Sequence, residues 1–211
     1  MKYLIISGID GSGKSSVIDC LKARLEKQGY RVECIWMRYN HYLVKCMNAL
    51  ARLLRLSVKV HNEYGDVWEH RLYRSPLFCK LYFWCSYIDN IIAKRKVAKL
   101  KADYVICDRW VNDIIIDLGA ECRKDDILES KWFDRFQRLL PRRDCHQFVV
   151  KRELDDVLGC RIENHTNPDF RYRWALYEKL QEKPEVHVVD NCGTLENSIE
   201  QIFDVMGNRN D

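Results

Sequence analysis

Nothing in this chain has the length of a membrane span: no uncharged apolar run approaches the roughly 18 residues that crossing a bilayer takes. It has no C-x-x-C pair, no internal repeat and no low-complexity segment, and its six histidines are scattered without ligand spacing, so a zinc or redox centre has no basis in the sequence. No signal-peptide pattern accompanies the ten cysteines, and Cys34, Cys107 and Cys192 sit beside apparent strands; reduced thiols in a cytoplasmic protein are expected. In that setting the Asn164-His165-Thr166 sequon carries no meaning. The excess of one sign of charge is also small. A net charge of +4 falls short of a nucleic-acid footprint and agrees with small acidic ligands. The expected partner is therefore a small molecule, with neither nucleic acid nor membrane. What the chain does have is 211 residues with a 47% apolar share, enough for one domain over 1–211 with a core of its own.

The most constrained stretch is Gly8-Ile9-Asp10-Gly11-Ser12-Gly13-Lys14-Ser15, which fits G-x-x-x-x-G-K-[ST] and follows the apolar run Tyr3-Leu4-Ile5-Ile6. Gly8, Gly11 and Gly13 let a backbone wrap a polyphosphate and turn N–H groups inward. The helix opening near Lys14, through Ser15 and Ser16, points its positive dipole end at the same anion. Lys14 then reads as a mobile charge in an exposed cradle, and the Ser15 hydroxyl as a Mg²⁺ ligand. Val17, Ile18, Leu21 and Leu25 give that helix one apolar face, and Gly29 ends it.

The spacing then predicts a strand over 30–36 and an amphipathic helix carrying Leu43, Met47, Leu50 and Leu54. Arg38, in the stretch that runs through Tyr39-Asn40-His41, falls just past the strand's carboxyl end, where open α/β sheets bind ligands; it reads either as a phosphate contact or as a surface salt bridge. Residues 57–74 lack a period and read as a loop or mobile connection. Ser75 and Pro76 open a long helix that ends in the basic run 94–101. Its aromatics exceed what one core stripe needs, so some face a ligand or a second copy of the chain in a homodimer. Tyr104-Val105-Ile106-Cys107 reads as a buried strand delivering Asp108-Arg109-Trp110, a carboxylate suited to a Mg²⁺-bound water and an arginine suited to a phosphate, or else an ordinary strand-end ion pair. Residues 111–140 read as largely helical. A strand over 146–150, a helix over 154–161, a flap-like run over 161–173 with Arg161, Arg171 and Arg173, a helix to about 180, a strand over 186–189, a closing helix and a frayed tail from Gly207 complete the chain. Alternating strands and helices argue a three-layer, doubly wound parallel sheet of the P-loop NTPase fold, with its site along the carboxyl edge.

On these motifs the chain resembles the thymidylate kinase family of P-loop nucleoside monophosphate kinases, nearly end to end. The family's F-E-G-x-D-G-x-G-K-[ST] is kept here from Gly8 onward, after Ile6-Ser7 in place of Phe-Glu. The resemblance implies ATP and Mg²⁺ bound at Gly8 to Ser16, Ser12 included, with Ser15 and Asp108 toward the metal. It implies Asp10 against the acceptor's sugar hydroxyl, and Arg109 of the Asp-Arg-Tyr-like strand end, with Arg38, on the acceptor phosphate. Family members carry a catalytic arginine in the loop or in the lid. Here the loop position is Gly11, which shifts the expectation to Arg161, Arg171 or Arg173 in the lid region 161–173. Phe83 matches the phenylalanine that stacks on the base, while Tyr87 replaces the arginine four residues on. The serine and Ala-Tyr pair expected after Trp110 are missing, with Asp113 and Ile116-Asp117 in their places.

Transfer of the ATP γ-phosphoryl to a nucleoside monophosphate, dTMP first, is thus expected, with relaxed reading of the base at Tyr87. Two other readings stay open. One is a kinase acting on a deoxynucleoside or another small hydroxyl compound, with Asp10 or Asp108 as base. The other is a nucleotide-binding protein with little transfer activity.

Overall fold

The computed structural model describes residues 1–38, 42–62, 65–167 and 169–207. Tyr39 to His41, Pro168 inside the 161–173 run and the tail beyond Gly207 lie outside the described residues. The sequence-predicted strands appear as β1 (Lys2–Ser7), β2 (Val32–Trp36), β5 (Tyr104–Asp108), β6 (Cys145–Lys151) and β7 (Val186–Asp190), joined in one sheet of order β2-β5-β1-β6-β7. Every pairing in it is parallel. In β1, Tyr3 to Ser7 are buried on both sides, as a central parallel strand requires. Leu4, Ile6, Ile106 and Phe148 pack against Leu21 of α1 (Lys14–Lys27) and Ile202 of α8 (Leu195–Gly207). Ile5, Val105, Cys107 and Val149 alternate to the opposite face, into a larger core built on α3 (Pro76–Val97), α4 (Val111–Cys122), α5 (Lys131–Gln137) and α7 (Phe170–Gln181). The architecture is α/β, a five-stranded parallel sheet flanked by helices, consistent with three layers. No helix among the described residues is long and apolar enough to cross a membrane.

Local signals explain several helix ends. Gly29, at φ +89°, ends α1 in the left-handed turn that favours glycine: its N–H donates to Glu26 O at 2.9 Å and the Tyr30 N–H to Leu25 O at 3.2 Å. Ser75 Oγ accepts from the Phe78 N–H at 3.3 Å, with Pro76 at the first helical position of α3. By contrast α2 (Leu43–Leu53) has no cap of its own. Its Leu43 and Val44 N–H groups donate at 3.1 and 3.0 Å to the buried Asp89 carboxylate of α3. A closed ring of amides ties β6 to α4 and α5: Asn112 Nδ2 to Gln147 Oε1 at 2.9 Å, Gln147 Nε2 to Gln137 Oε1 at 3.0 Å, and Gln137 Nε2 to Asn112 Oδ1 at 2.7 Å.

Three segments differ from the sequence reading. Residues 57–74 are not a loop: β3 (Ser57–Asn62) and β4 (Gly65–His70) form an antiparallel hairpin, followed by a 3₁₀ turn over Leu72–Arg74. The hairpin is a separate two-stranded sheet, paired locally from Ser57 opposite His70 to Asn62 opposite Gly65. The 161–173 run holds more regular structure than its turn residues suggest. A 3₁₀ turn spans Ile162–His165, and α7 already begins at Phe170, which places Arg171 and Arg173 in its first turn. Phe170, Tyr177 and Leu180 supply the buried face that the polar residues obscured. Residues 111–140 divide into α4 and α5, because the chain leaves α4 through Arg123 at φ +51°.

Register aligns the ends that matter. Ile6 and Trp36 both lie level with Asp108, so the segments after β1, β2 and β5 leave the sheet side by side at its carboxyl edge.

Candidate functional site

The loop after β1 is clamped by its surroundings. Gly8 sits at φ +145°, where a Cβ would fall 2.7 Å from Val150 O and 3.0 Å from Ser12 Oγ. Its N–H donates to Asp113 Oδ1 at 3.4 Å. We expect Gly8→Ala to cost about 3 kcal/mol, combining backbone strain with overlap against β6; a urea midpoint within error of wild type would show that the loop does not need this contact. From the far edge, Asn191 Nδ2 donates to Ser12 O at 2.8 Å, its own Oδ1 held by Ser198 Oγ at 2.9 Å. Asn164 Nδ2 donates to Asp10 O at 3.1 Å. Gly11 and Gly13 also take positive φ, and α1 begins after them without an acidic first turn. Its dipole and first N–H groups therefore face the loop, with Ser15 and Ser16 exposed there.

Lys14 corrects the sequence reading, which placed it in an exposed cradle. It is 5% exposed, and its Nζ folds back to donate to Ile9 O at 2.5 Å, with Ser12 Oγ at 3.5 Å. Burial first, and then the Arg109 charge, lower its pKa to about 7.

Around the loop runs an alternating series of charges. Arg109, at φ +58° just past β5, donates to Asp10 and lies 3.6 Å from Asp113 Oδ1. Asp10 also accepts from Arg38 Nη1 at 3.4 Å. Burial works to raise the Asp10 carboxyl, but Arg109, Arg38 and Lys14 outweigh it and hold it at about 2, so Asp10 is an anion with its side chain 47% exposed. Arg38 sets its fork on Asp117, Nε to Oδ2 at 3.1 Å and Nη2 to Oδ1 at 3.3 Å; the Asp117 charge raises the Arg38 pKa. Arg173 Nε lies 3.0 Å from the same Asp117 Oδ1, close enough to pair but not aligned as a hydrogen bond. Asp113, Asp117 and Glu121 follow one another at four-residue spacing along α4, one acidic stripe facing Arg109, Arg38 and Arg173. Burial, then Asp117, push the Glu121 carboxyl up to about 7.

Asp108 stands apart from this series. Burial raises its pKa, and among the described residues its Oδ1 has no hydrogen-bond partner. No three His, Cys, Asp or Glu among the described residues form a metal cage. The Ser15 hydroxyl and Asp108 Oδ1 are hard oxygens of the kind Mg²⁺ takes.

The structure gathers Gly8, Asp10, Gly11, Ser12, Gly13, Lys14, Arg38, Asp108, Arg109 and Arg173 at this edge. Arg161 joins them: a Cβ on Gly11 would meet its Cγ at 3.3 Å and Val157 O at 2.9 Å. Arg171 is exposed on α7. Phe83 and Tyr87 are not in the charged cluster. Phe83 is buried against Trp132, and Tyr87 packs on Trp84, Trp132 and Phe136. The long-helix ring that approaches the acidic stripe is Tyr82, whose hydroxyl donates to Asn48 Oδ1 at 3.0 Å and feels the charges of Glu121 and Asp117. Sequence reasoning passed over Tyr177, whose hydroxyl donates to Asp113 Oδ1 at 2.6 Å, and the loop anchors Asn164 and Asn191. It noted Asp113 and Asp117 only as departures, although the D-x-x-x-D-x-x-x-E spacing was there to be read. Against known proteins, the chain matches no family model and no curated protein.

Proposed function

We propose that this protein is a P-loop kinase of the doubly wound α/β type, transferring the γ-phosphoryl of ATP to a nucleoside monophosphate, with dTMP the first acceptor to test. The observation that carries the reading is the meeting, at three adjacent strand ends, of the glycine loop with Lys14, the Asp10–Arg109 pair and Arg38. The strand order, with the loop after the central strand, supports the P-loop fold.

Catalysis here is positioning and neutralisation of charge. An oxygen of the acceptor phosphate attacks the γ-phosphorus as the bond to the ADP oxygen breaks, and no proton has to move. Lys14 and Arg161 take up charge on the transferred group, and Arg109 and Arg38 hold the acceptor. Asp10, an accessible carboxylate, accepts from a sugar hydroxyl. Mg²⁺ held near Ser15 and Asp108 supplies further neutralisation of the ATP oxygens.

A second reading is favoured by Asp108, whose carboxyl is raised by burial and whose Oδ1 has no hydrogen-bond partner among the described residues; it suits a general base for a nucleoside hydroxyl better than the doubly paired Asp10 does. One coupled ADP-release screen over nucleoside monophosphates and nucleosides with Mg²⁺ separates the readings. We expect release that depends on dTMP. Release with nucleosides alone selects the second reading, and ATP binding without acceptor-dependent release leaves a nucleotide-binding protein.

A further inference from the structure

The arginines on the acceptor side of this site are already paired with carboxylates. Arg38 is paired with Asp10 and Asp117, Arg109 with Asp10 and Asp113, and Arg173 lies against Asp117, so a phosphate dianion entering it meets guanidinium groups that are in use. The two aspartates of the α4 stripe that pair with them are held differently. Asp113 is 1% exposed and is fixed by the Tyr177 hydroxyl and the Gly8 N–H as well as by Arg109. Among the described residues Asp117 is held by arginines alone, and its side chain is 22% exposed. Both Asp117 oxygens lie on the Arg38 fork while a second guanidinium converges on one of them. A carboxylate and a phosphate offer a guanidinium the same pair of oxygens, so this is an arrangement a phosphate can take over.

Resting on the kinase reading above, we propose that Asp117 occupies the place of the acceptor's phosphate and must be displaced from Arg38 for the acceptor to bind. Asp117 is then a specificity-determining residue. It makes the site demand a dianion strong enough to win both arginines, and it discourages weaker anions from settling there. Glu121, one turn further along α4, adds its charge to the field at Arg173.

The test compares binding of dTMP, thymidine and inorganic phosphate to wild type and to Asp117→Asn by titration calorimetry without ATP, after melting curves establish that the variant folds. Asparagine keeps the shape and removes the competing charge. We expect dTMP and inorganic phosphate to bind the variant at least about tenfold tighter, with thymidine unchanged, because a charge-assisted pair no longer has to be broken. Asp117→Ser makes the same comparison should the asparagine variant not fold. The proposal is overturned if neither dTMP nor phosphate gains affinity, including the case in which neither binds, or if thymidine gains as much as dTMP. It is also overturned if Asp117→Asn abolishes turnover of a nucleoside at unchanged KM, since Asp117 would then be a base. Failure of the kinase reading is seen separately, as absence of ADP release with every monophosphate.

Discussion

Lys14→Ala should lower kcat/KM for ADP release by about a thousandfold, roughly 4 kcal/mol of transition-state stabilisation, while the fold is retained. The size of the effect follows from the place of this cation, at the end of the glycine loop and beside Asp10 and Arg109. The stability half follows from burial. Between about pH 7, the Lys14 pKa in the fold, and its ordinary value of 10.5, the unfolded chain binds a proton that the folded chain does not. Stability of the wild type therefore rises with pH across that window. The lysine penalises the fold fully below pH 7, and the penalty fades toward pH 10.5. Lys14→Ala should accordingly melt higher than wild type at pH 6 and converge with it near pH 10. Wild-type turnover in the variant ends the kinase reading; a variant that melts lower at pH 6 contradicts the buried, proton-shedding lysine.

The three arginines of the 161–173 run should separate into three behaviours. Arg161→Ala is expected to lower kcat by about a hundredfold or more with little change in melting, because this side chain leans over Gly11 at the loop, where a transition-state charge can be met. Arg171→Ala should be close to wild type, since a surface cation contributes little. Arg173→Ala should destabilise by about 2 kcal/mol, leaving Asp117 with Arg38 as its remaining partner in a partly buried setting. Steady-state kinetics and chemical denaturation on the three variants check this together. If the largest kcat loss falls on Arg171, the geometric assignment at Gly11 is wrong.

The fate of that run shows where sequence reading loses force. Arg161, Arg171 and Arg173 look alike in a stretch of turn residues. Their environments diverge because Arg161 follows α6 (Leu154–Cys160), which leans on the loop, whereas Arg173 lies one α7 turn before the buried Tyr177. Phe83 and Tyr87 make the same point. Helical spacing puts both on α3, but only packing decides that Trp132 and Phe136 take these rings and that Tyr82 turns toward the acidic stripe.

By itself the sequence determined the five parallel strands, the helices between them, the position of the glycine loop and the ends of α1 and α3. These rest on interactions among near neighbours: apolar runs, helical spacing, a serine three residues from the N–H it caps, a glycine in a left-handed turn. Only the tertiary structure decided the capping of α2 by Asp89, the burial of Lys14 and the pairing of Arg38, Arg109 and Arg173 with Asp10 and Asp117. Each depends on groups far apart in the chain. Asp10 meets Arg38 across 28 residues and Arg109 across 99, and Asn191 reaches Ser12 across 179. Parallel crossovers bring such ends to one edge of the sheet. Charge and burial there are properties of the assembled edge, so no local pattern of residues carries them.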